Sequence, residues 1–445
     1  MKMHPWRRSN ELTIEAAKRE ECHAQFAADN DENARGAHIR ASHPAQRRSV
    51  REPLGRITRH GIARHVARRT TEAMSGDGQK WLAARTGHLL GGLRAFNGFE
   101  PTVHVYPAVP GQQELKFLSR AYGTLYQDLK ARDLLPIGFE FLTNSLEVKG
   151  LVPTNWRSYH PWGPKNIWPC EVQIEDWSQI GWVASKEGKA ELWDLARRIS
   201  HQLRVCAWRM YQLSDAYYAQ LKARTAEQDI SAGLRFEDGF TWLGYLAAQA
   251  YLVDACILRD YLAEFFVAFV CPAPDRPKVH IATMAGAKKH VLDKVKSSSP
   301  LFAELTSATS KGGWLFELGA YRDLCVHCVP LARSESRLFA VGIAVPIRGA
   351  APLLGVSLPL PADPSAIAAE RASPKRGDRL AEELKLMTSA NRGEVSSADA
   401  LLYCYSALDR LTQLATKLRQ YSPVEPQMPT ITDADLTGGI KVRYV

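Results

Sequence analysis

Seven consecutive residues, Tyr321-Arg322-Asp323-Leu324-Cys325-Val326-His327, put an arginine, an acid and a histidine into an otherwise apolar stretch. Histidine is the side chain whose unperturbed pKa lies near neutrality, so it can take up and return a proton. Arginine offers a planar fork of N–H donors that matches phosphate oxygens. Arg322 and His327 are five apart, which on a straight α-helix means about 7.5 Å of rise and about 140° of rotation. They therefore do not share one stripe, although Arg322 is long enough to lean toward the histidine and both could line a groove between two helices or two subunits. Asp323 stands four before His327, the spacing for side-chain contact, and is placed to orient or charge the imidazole. The bland alternative leaves Arg322 and Asp323 solvated and makes His327 a satisfied core or last-turn residue.

Rival chemistries have less behind them. Cys325-x-x-Cys328 brackets His327 in the manner of a zinc site, but no second cysteine pair stands nearby and two ligands do not close a site. As a redox pair it lacks the βαβ setting. The chain contains no P-loop, no Gly-x-Gly-x-x-Gly turn after a strand, no His-Glu-x-x-His helix and no Gly-x-Ser-x-Gly elbow. No metal or cofactor is expected. Upstream, Lys288, Lys289, His290, Lys294 and Lys296 make a basic segment, read either as a solvated face or as contacts to a nucleic-acid backbone.

The elements that must position these residues are mostly helical. Over 187–228, Leu192, Leu195, Ile199, Leu203, Cys206, Met210, Leu213 and Tyr217 recur at steps of three and four and predict one long helix. A second runs from Phe240 to Val270, where Pro272 and Pro274 stop it. A short basic helix is expected over 281–296, and another opens at Ser299-Pro300, with cap and first-turn proline, and breaks at Gly312-Gly313. The motif helix follows from Trp314 to Pro330. Leu338–Ile347 and Leu353–Leu358 read as a β-hairpin, and 362–395 as polar and mobile. A closing helix over 396–421 carries Leu401, Tyr405, Leu408, Leu411, Ala415 and Leu418 on one face, with Ser396 and Asp399 as its capping box. No repeat at 20–50 residues is found.

Before these helices, 79–184 mixes short elements: an apolar-periodic segment over 81–96, a strand at Thr102–Pro107, a helix-like stretch over Leu115–Arg132, and strands at Ile137–Phe141 and Leu146–Val152. Trp156, Trp162, Trp168, Trp177 and Trp182 fall in a Pro-rich segment, as its own small core or as a base-stacking surface.

An Arg-x4-His motif late in a helical bundle, after two long helices and before a closing one, resembles the HEPN domain (higher eukaryotes and prokaryotes nucleotide-binding). That family's mark is Arg-x(4–6)-His, often with a polar residue directly after the arginine. The matching positions are Arg322, Asp323 and His327, and the resemblance covers about 186–421; the hairpin at 337–360 is an insertion without a counterpart in the general pattern. The resemblance implies a metal-independent endoribonuclease of a bacterial toxin or anti-phage defence system, with an antitoxin or defence protein as partner. It implies a homodimer in which two motifs form one composite site. RNA supplies its own nucleophile, the 2′-hydroxyl, so Arg322 and His327, helped by Asp323, would serve as phosphate cation and proton carrier, with Lys288, Lys289, His290, Lys294 and Lys296 binding RNA. A non-catalytic nucleotide- or RNA-binding or scaffold protein of the same shape is the alternative.

Composition sets the outer bounds. At 445 residues, 45% hydrophobic and 23% charged, the chain has the make-up of a soluble globular protein. Eight cysteines are too few for a disulfide scaffold and are read as reduced thiols. The net charge of +10 is concentrated over 33–72, where ten arginines face Glu52 and Glu72. This segment has no sustained period and reads as a flexible basic arm. It fits a nucleic-acid-binding arm, a solvated tail, or a translation start placed too far upstream, with Met74 as the alternative. The longest apolar stretch, Tyr245 to Val270, is interrupted by Gln249, Asp254, Arg259, Asp260 and Glu264, and no secretory signal follows Arg7 and Arg8. The expected compartment is the cytoplasm, with no membrane partner. The expected fold is mainly α: a basic arm over 1–78, a small α+β domain over 79–185, a HEPN-like helical bundle with a β-hairpin insertion over 186–421, and a flexible tail over 422–445.

Overall fold

A computed structural model describes residues 85–98, 100–107, 114–141, 166–295, 297–328, 331, 338–362, 364–374, 377 and 398–429. The chain divides into two units, Met1–Arg64 and His65–Val445, and every described residue belongs to the second. The basic arm, Leu146–Val152, Trp156, Trp162, Lys296 and Ser396 lie outside the described residues.

The protein is mainly helical, with a small β-sheet region N-terminal to the helical part. That sheet has six antiparallel strands: β1 (Arg85–Leu89), β2 (Arg94–Asn97), β3 (Thr102–Tyr106), β4 (Leu115–Leu118), β5 (Pro136–Phe141) and β6 (Asn166–Ile167), in the order β4-β3-β2-β1-β5-β6. Ala95, Val103, Val105, Ile137 and Phe139 are fully buried on it. The apolar segment over 81–96 is thus β1 and β2 from Arg85 onward, paired Gly87 to Ala95. Gly92, at φ +83°, closes the turn between them, where a Cβ would stand 2.6 Å from the Tyr217 carbonyl oxygen. Only glycine fits there. The helix expected over Leu115–Arg132 shrinks to α1 (Leu125–Lys130), because Leu115–Leu118 pairs with β3 instead. Its spacing served both periods, and the sheet edge took the first four residues.

Three helices carry most of the remaining core. In α2 (Glu171–Lys186), Trp177 is fully buried and Trp182 half-buried, so these two tryptophans stand on a helix and not in an irregular segment. Trp168 is also buried, which removes it and Trp177 from any base-stacking surface. In α3 (Ala190–Ala226) all eight positions of the predicted stripe are buried. Asp238 caps α4 (Gly239–Phe265), accepting from Thr241 N at 2.8 Å while Arg224 of α3 holds its other oxygen at 2.6 Å. The helix then widens into a π-turn, Phe266–Val270, before Pro272. Among the described residues no helix is long and apolar enough to cross a membrane.

Shorter helices follow: α5 (Met284–Ala287), continued by a π-turn over Lys288–Leu292; α6 (Pro300–Thr309); and α7 (Trp314–Asp323), continued by a π-turn over Leu324–Cys328. The basic helix expected over 281–296 is therefore cut to 284–292, and Ser299 occupies the cap position of α6 without a side-chain cap bond. The hairpin is β8 (Ala340–Val345) with β9 (Leu353–Ser357), joined at its other edge by β7 (Arg235–Phe236) into a three-stranded sheet. Part of 362–395, expected to be mobile, is helix α8 (Pro364–Ala372), an alanine-rich stretch seated on α7.

The closing helix α9 (Ala400–Arg419) buries Leu401, Leu408, Leu411, Ala415 and Leu418. Its cap is Asp399, which accepts from Leu402 N at 3.0 Å. Asp399 also takes the Tyr217 hydroxyl at 2.8 Å and the Ser357 hydroxyl at 2.8 Å. A single half-buried carboxylate thus fastens hairpin, α3 and α9 together. The segment Pro359–Leu360 (β10) pairs with Ala398–Asp399 (β11) beside it.

Candidate functional site

The helix α7 is held by an apolar stripe of Leu315, Leu318 and Tyr321, all buried. The Tyr321 hydroxyl donates to Pro361 O at 2.6 Å, and its ring packs edge-on against Tyr403 with centroids 4.6 Å apart. With that stripe fixed, Phe316, Gly319, Ala320 and Asp323 fall on the adjacent face at steps of three and four. They form, with Arg322, one wall of a cleft of about 350 Å³. This is the size range of a small-ligand site. Arg259 of α4, Met284, Ala285 and Lys288 of the short basic helix, and Thr309, Leu315 and Ser365 complete the lining of the cleft.

Three cations meet in this cleft, and each has an acid beside it. Arg322 Nη1 lies 3.2 Å from Asp323 Oδ1. Lys288 Nζ donates to Asp293 at 2.7 Å. Arg259, its side chain only 9% exposed, donates Nε to Asp260 Oδ1 at 3.0 Å, with Nη2 also 3.0 Å from that oxygen. The same oxygen accepts from Met284 N at 3.0 Å, so Asp260 fixes both Arg259 and the start of α5. Burial pushes the Cys256 thiol up against the pull of Arg259 and Arg322, whose guanidinium groups both neighbour it. With its charges largely paired, the cleft presents directional N–H donors more than a bare excess of positive charge. Such donors recognise phosphate oxygens by geometry.

The predicted motif is only partly assembled. Arg322 and Asp323 line the cleft; His327 is exposed on the following π-turn and is not among the lining residues. Asp323 pairs with Arg322, and His327 makes no hydrogen bond or ion pair with another described residue. The expected Asp323–His327 contact is therefore absent. The i→i+5 turn from Leu324 explains why, since residues four apart no longer stack while residues five apart move toward one stripe. Of the basic segment, Lys288 lines the cleft, Lys289 and Lys294 are exposed, and His290 is half-buried. Among the described residues no group of three His, Cys, Asp or Glu side chains is arranged to hold a metal ion.

A second constellation escaped sequence reasoning altogether. His88 Nδ1 lies 3.0 Å from Ser214 Oγ and its Nε2 3.2 Å from Glu140 Oε1, a serine, a histidine and an acid in line. By residue type this is a hydrolase triad. Burial decides against it, because Ser214 is 0% and His88 1% exposed, with Trp168 and Tyr211 against the imidazole. Burial, then the Arg94 charge, lowers the His88 pKa to about 4, against the opposing pull of Glu140. The neutral imidazole pins β1 to α3. Separations of 52 and 74 residues along the chain left no local pattern to find it by.

Arg259 is the other residue that sequence reasoning passed over. Its signal was an arginine inside the apolar helix Tyr245–Val270, where a charge must find a partner or a use. No protein-family model, curated protein or solved structure matches the chain, so the functional reading rests on the side chains of this cleft.

Proposed function

We propose that the protein is a metal-independent endoribonuclease acting at the Arg322–His327 segment, in line with its resemblance to the HEPN family. The observation that carries this reading is the cleft, in which Arg322 stands among two further cations, Arg259 and Lys288, one π-turn from an exposed histidine without a partner among the described residues. The 2′-hydroxyl oxygen of RNA attacks phosphorus, the bond from phosphorus to the 5′-oxygen breaks, and a 2′,3′-cyclic phosphate and a 5′-hydroxyl result. A proton leaves the 2′-hydroxyl and another reaches the 5′-oxygen. One imidazole per chain performs one of these transfers, so the reading includes a homodimer in which the partner's second motif performs the other. Arg322 receives the charge that develops on the phosphoryl oxygens. A toxin or defence role, in the cytoplasm and alongside an antitoxin or defence partner, belongs to this reading.

The substitutions Arg322→Ala and His327→Ala test it on full-length protein with a labelled RNA. His327 is exposed and has no partner among the described residues, so its loss should leave stability within about 0.5 kcal/mol while reducing cleavage about 10²–10⁴-fold. Cleavage by the wild type should persist in EDTA. Asp323→Ala should be milder, since an exposed ion pair contributes about 0–1 kcal/mol. If His327→Ala retains full activity, the assignment fails. A second reading, non-catalytic RNA or nucleotide binding, is favoured by one observation: His327 does not line the cleft that Arg322 lines. It predicts binding without a cyclic-phosphate product.

A further inference from the structure

The deepest cation in the cleft is not in the Arg-x4-His motif. Arg259 is nine-tenths buried, and two of its nitrogens, Nε and Nη2, are spent on one oxygen of Asp260. The third, Nη1, takes no partner among the described residues and lies over the backbone of α7 at Gly319, where a Cβ would come within 2.8 Å of it. Gly319 has an ordinary helical backbone, so nothing in its conformation calls for glycine. Space for the guanidinium does. Gly319 lines the cleft together with Arg259 and, one turn on, Arg322 and Asp323. A helix interior gives up stability by holding glycine where alanine would serve, and here the absent methyl leaves one N–H edge of a buried arginine open toward the cavity.

We infer that Arg259 is a phosphate-binding residue of this cleft, which takes an RNA phosphate between the Nη1 edge of Arg259 and the guanidinium of Arg322. The inference rests on the reading of the cleft as an RNA site and not on cleavage. The held Asp260 pairing fixes the fork before ligand arrives, so little side-chain freedom is lost on binding. At about 350 Å³ the cleft admits one nucleotide's phosphate and sugar and not the body of a duplex. A single strand is the class of ligand implied.

Gly319→Ala separates this role from a structural one. The methyl would meet only the Nη1 tip of Arg259, a side-chain end and not backbone, and alanine is the better helix former, so a small shift of the fork absorbs it. The melting temperature should stay level or rise while ligand binding weakens. The probe is a fluorescein-labelled 2′-O-methyl RNA decamer, which cannot be cleaved, titrated into the full-length chain and read by fluorescence anisotropy, with inorganic phosphate as competitor. Loss of one charge-assisted hydrogen bond should weaken binding about ten- to a hundredfold in Arg259→Lys, which keeps the charge for Asp260 but not the fork. Gly319→Ala should show at least about fivefold weakening. If Arg259→Lys fails to fold, Gly319→Ala decides alone. Decamer affinity unchanged in Gly319→Ala overturns the inference and leaves the proposed function standing. A wild type that does not bind the decamer overturns both. Binding that responds to Gly319→Ala in a protein that cleaves nothing removes the nuclease reading and upholds this one.

Discussion

Replacing His88 by glutamine should remove a defined part of the protein's acid sensitivity. In the folded protein the imidazole is sealed between Ser214, Glu140, Trp168 and Tyr211, and its pKa is lowered to about 4 from the ordinary value of 6.5 by burial and by Arg94. The unfolded chain therefore binds a proton at a pH where the folded chain does not, and stability falls as pH drops below 6.5, until both states are protonated below about 4. A gap of about 2.5 corresponds to about 3 kcal/mol over the whole window, of which about 2 kcal/mol is lost by pH 5. Glu171 acts the other way: burial pushes its carboxyl up to about 8, so it favours the folded state as pH falls toward 4.5. The raw pH profile mixes the two, and the difference between wild type and His88→Gln isolates the histidine. Urea denaturation at pH 7 and pH 5 measures it. Glutamine can still bond Ser214 and has no charge to acquire, so the variant should lose about 2 kcal/mol less than the wild type over this interval. Parallel losses in the two proteins would refute the buried neutral imidazole.

Replacing Lys288, Lys289 and Lys294 by alanine should weaken RNA binding and flatten its salt dependence by roughly 0.7 in log–log slope per phosphate contact removed, with product identity unchanged, which a filter-binding series across salt concentrations would measure. Light scattering should find a homodimer in any preparation that cleaves RNA. A strict monomer with full activity would remove the shared-site reading.

Long helical patterns in the sequence survived intact, as did the β-rich runs at Thr102–Tyr106, Pro136–Phe141 and the 340–357 hairpin, whereas a short stretch that fits both periods did not. Eight positions at steps of three and four in α3 are all buried, because a helix of 37 residues repeats its statement many times over. Leu115–Leu118 is four residues, with Leu118 69% exposed at the sheet edge, and four residues fit either period. Pairing to β3 decided the matter, and pairing partners are not written locally. The four charges interrupting Tyr245–Val270 were legible as anomalies, and they resolve into three ion pairs: Asp254 with Arg209 at 2.7 Å, Glu264 with Arg198 at 2.8 Å, and Arg259 with Asp260 at 3.0 Å. A reading that asked each buried charge for its partner would have reached Arg259 and then needed the fold to find Gly319, 60 residues away.

The π-turns bear on why the motif has the spacing it has. Among the described residues, i→i+5 turns occur at Phe266–Val270, Lys288–Leu292 and Leu324–Cys328, and two of the three begin at or just after residues that line the cleft. Such turns are rare and concentrate at functional sites. Continued as an ordinary α-helix, α7 would stack Asp323 on His327 and swing His327 about 140° away from Arg322. The wider turn undoes both relations at once. Asp323 is released to pair with Arg322 at 3.2 Å, and a position five residues on from Arg322 falls nearer its stripe than an α-turn would set it, although His327 itself does not line the cleft. A spacing of five, awkward on an α-helix, suits a helix that widens two residues after its arginine.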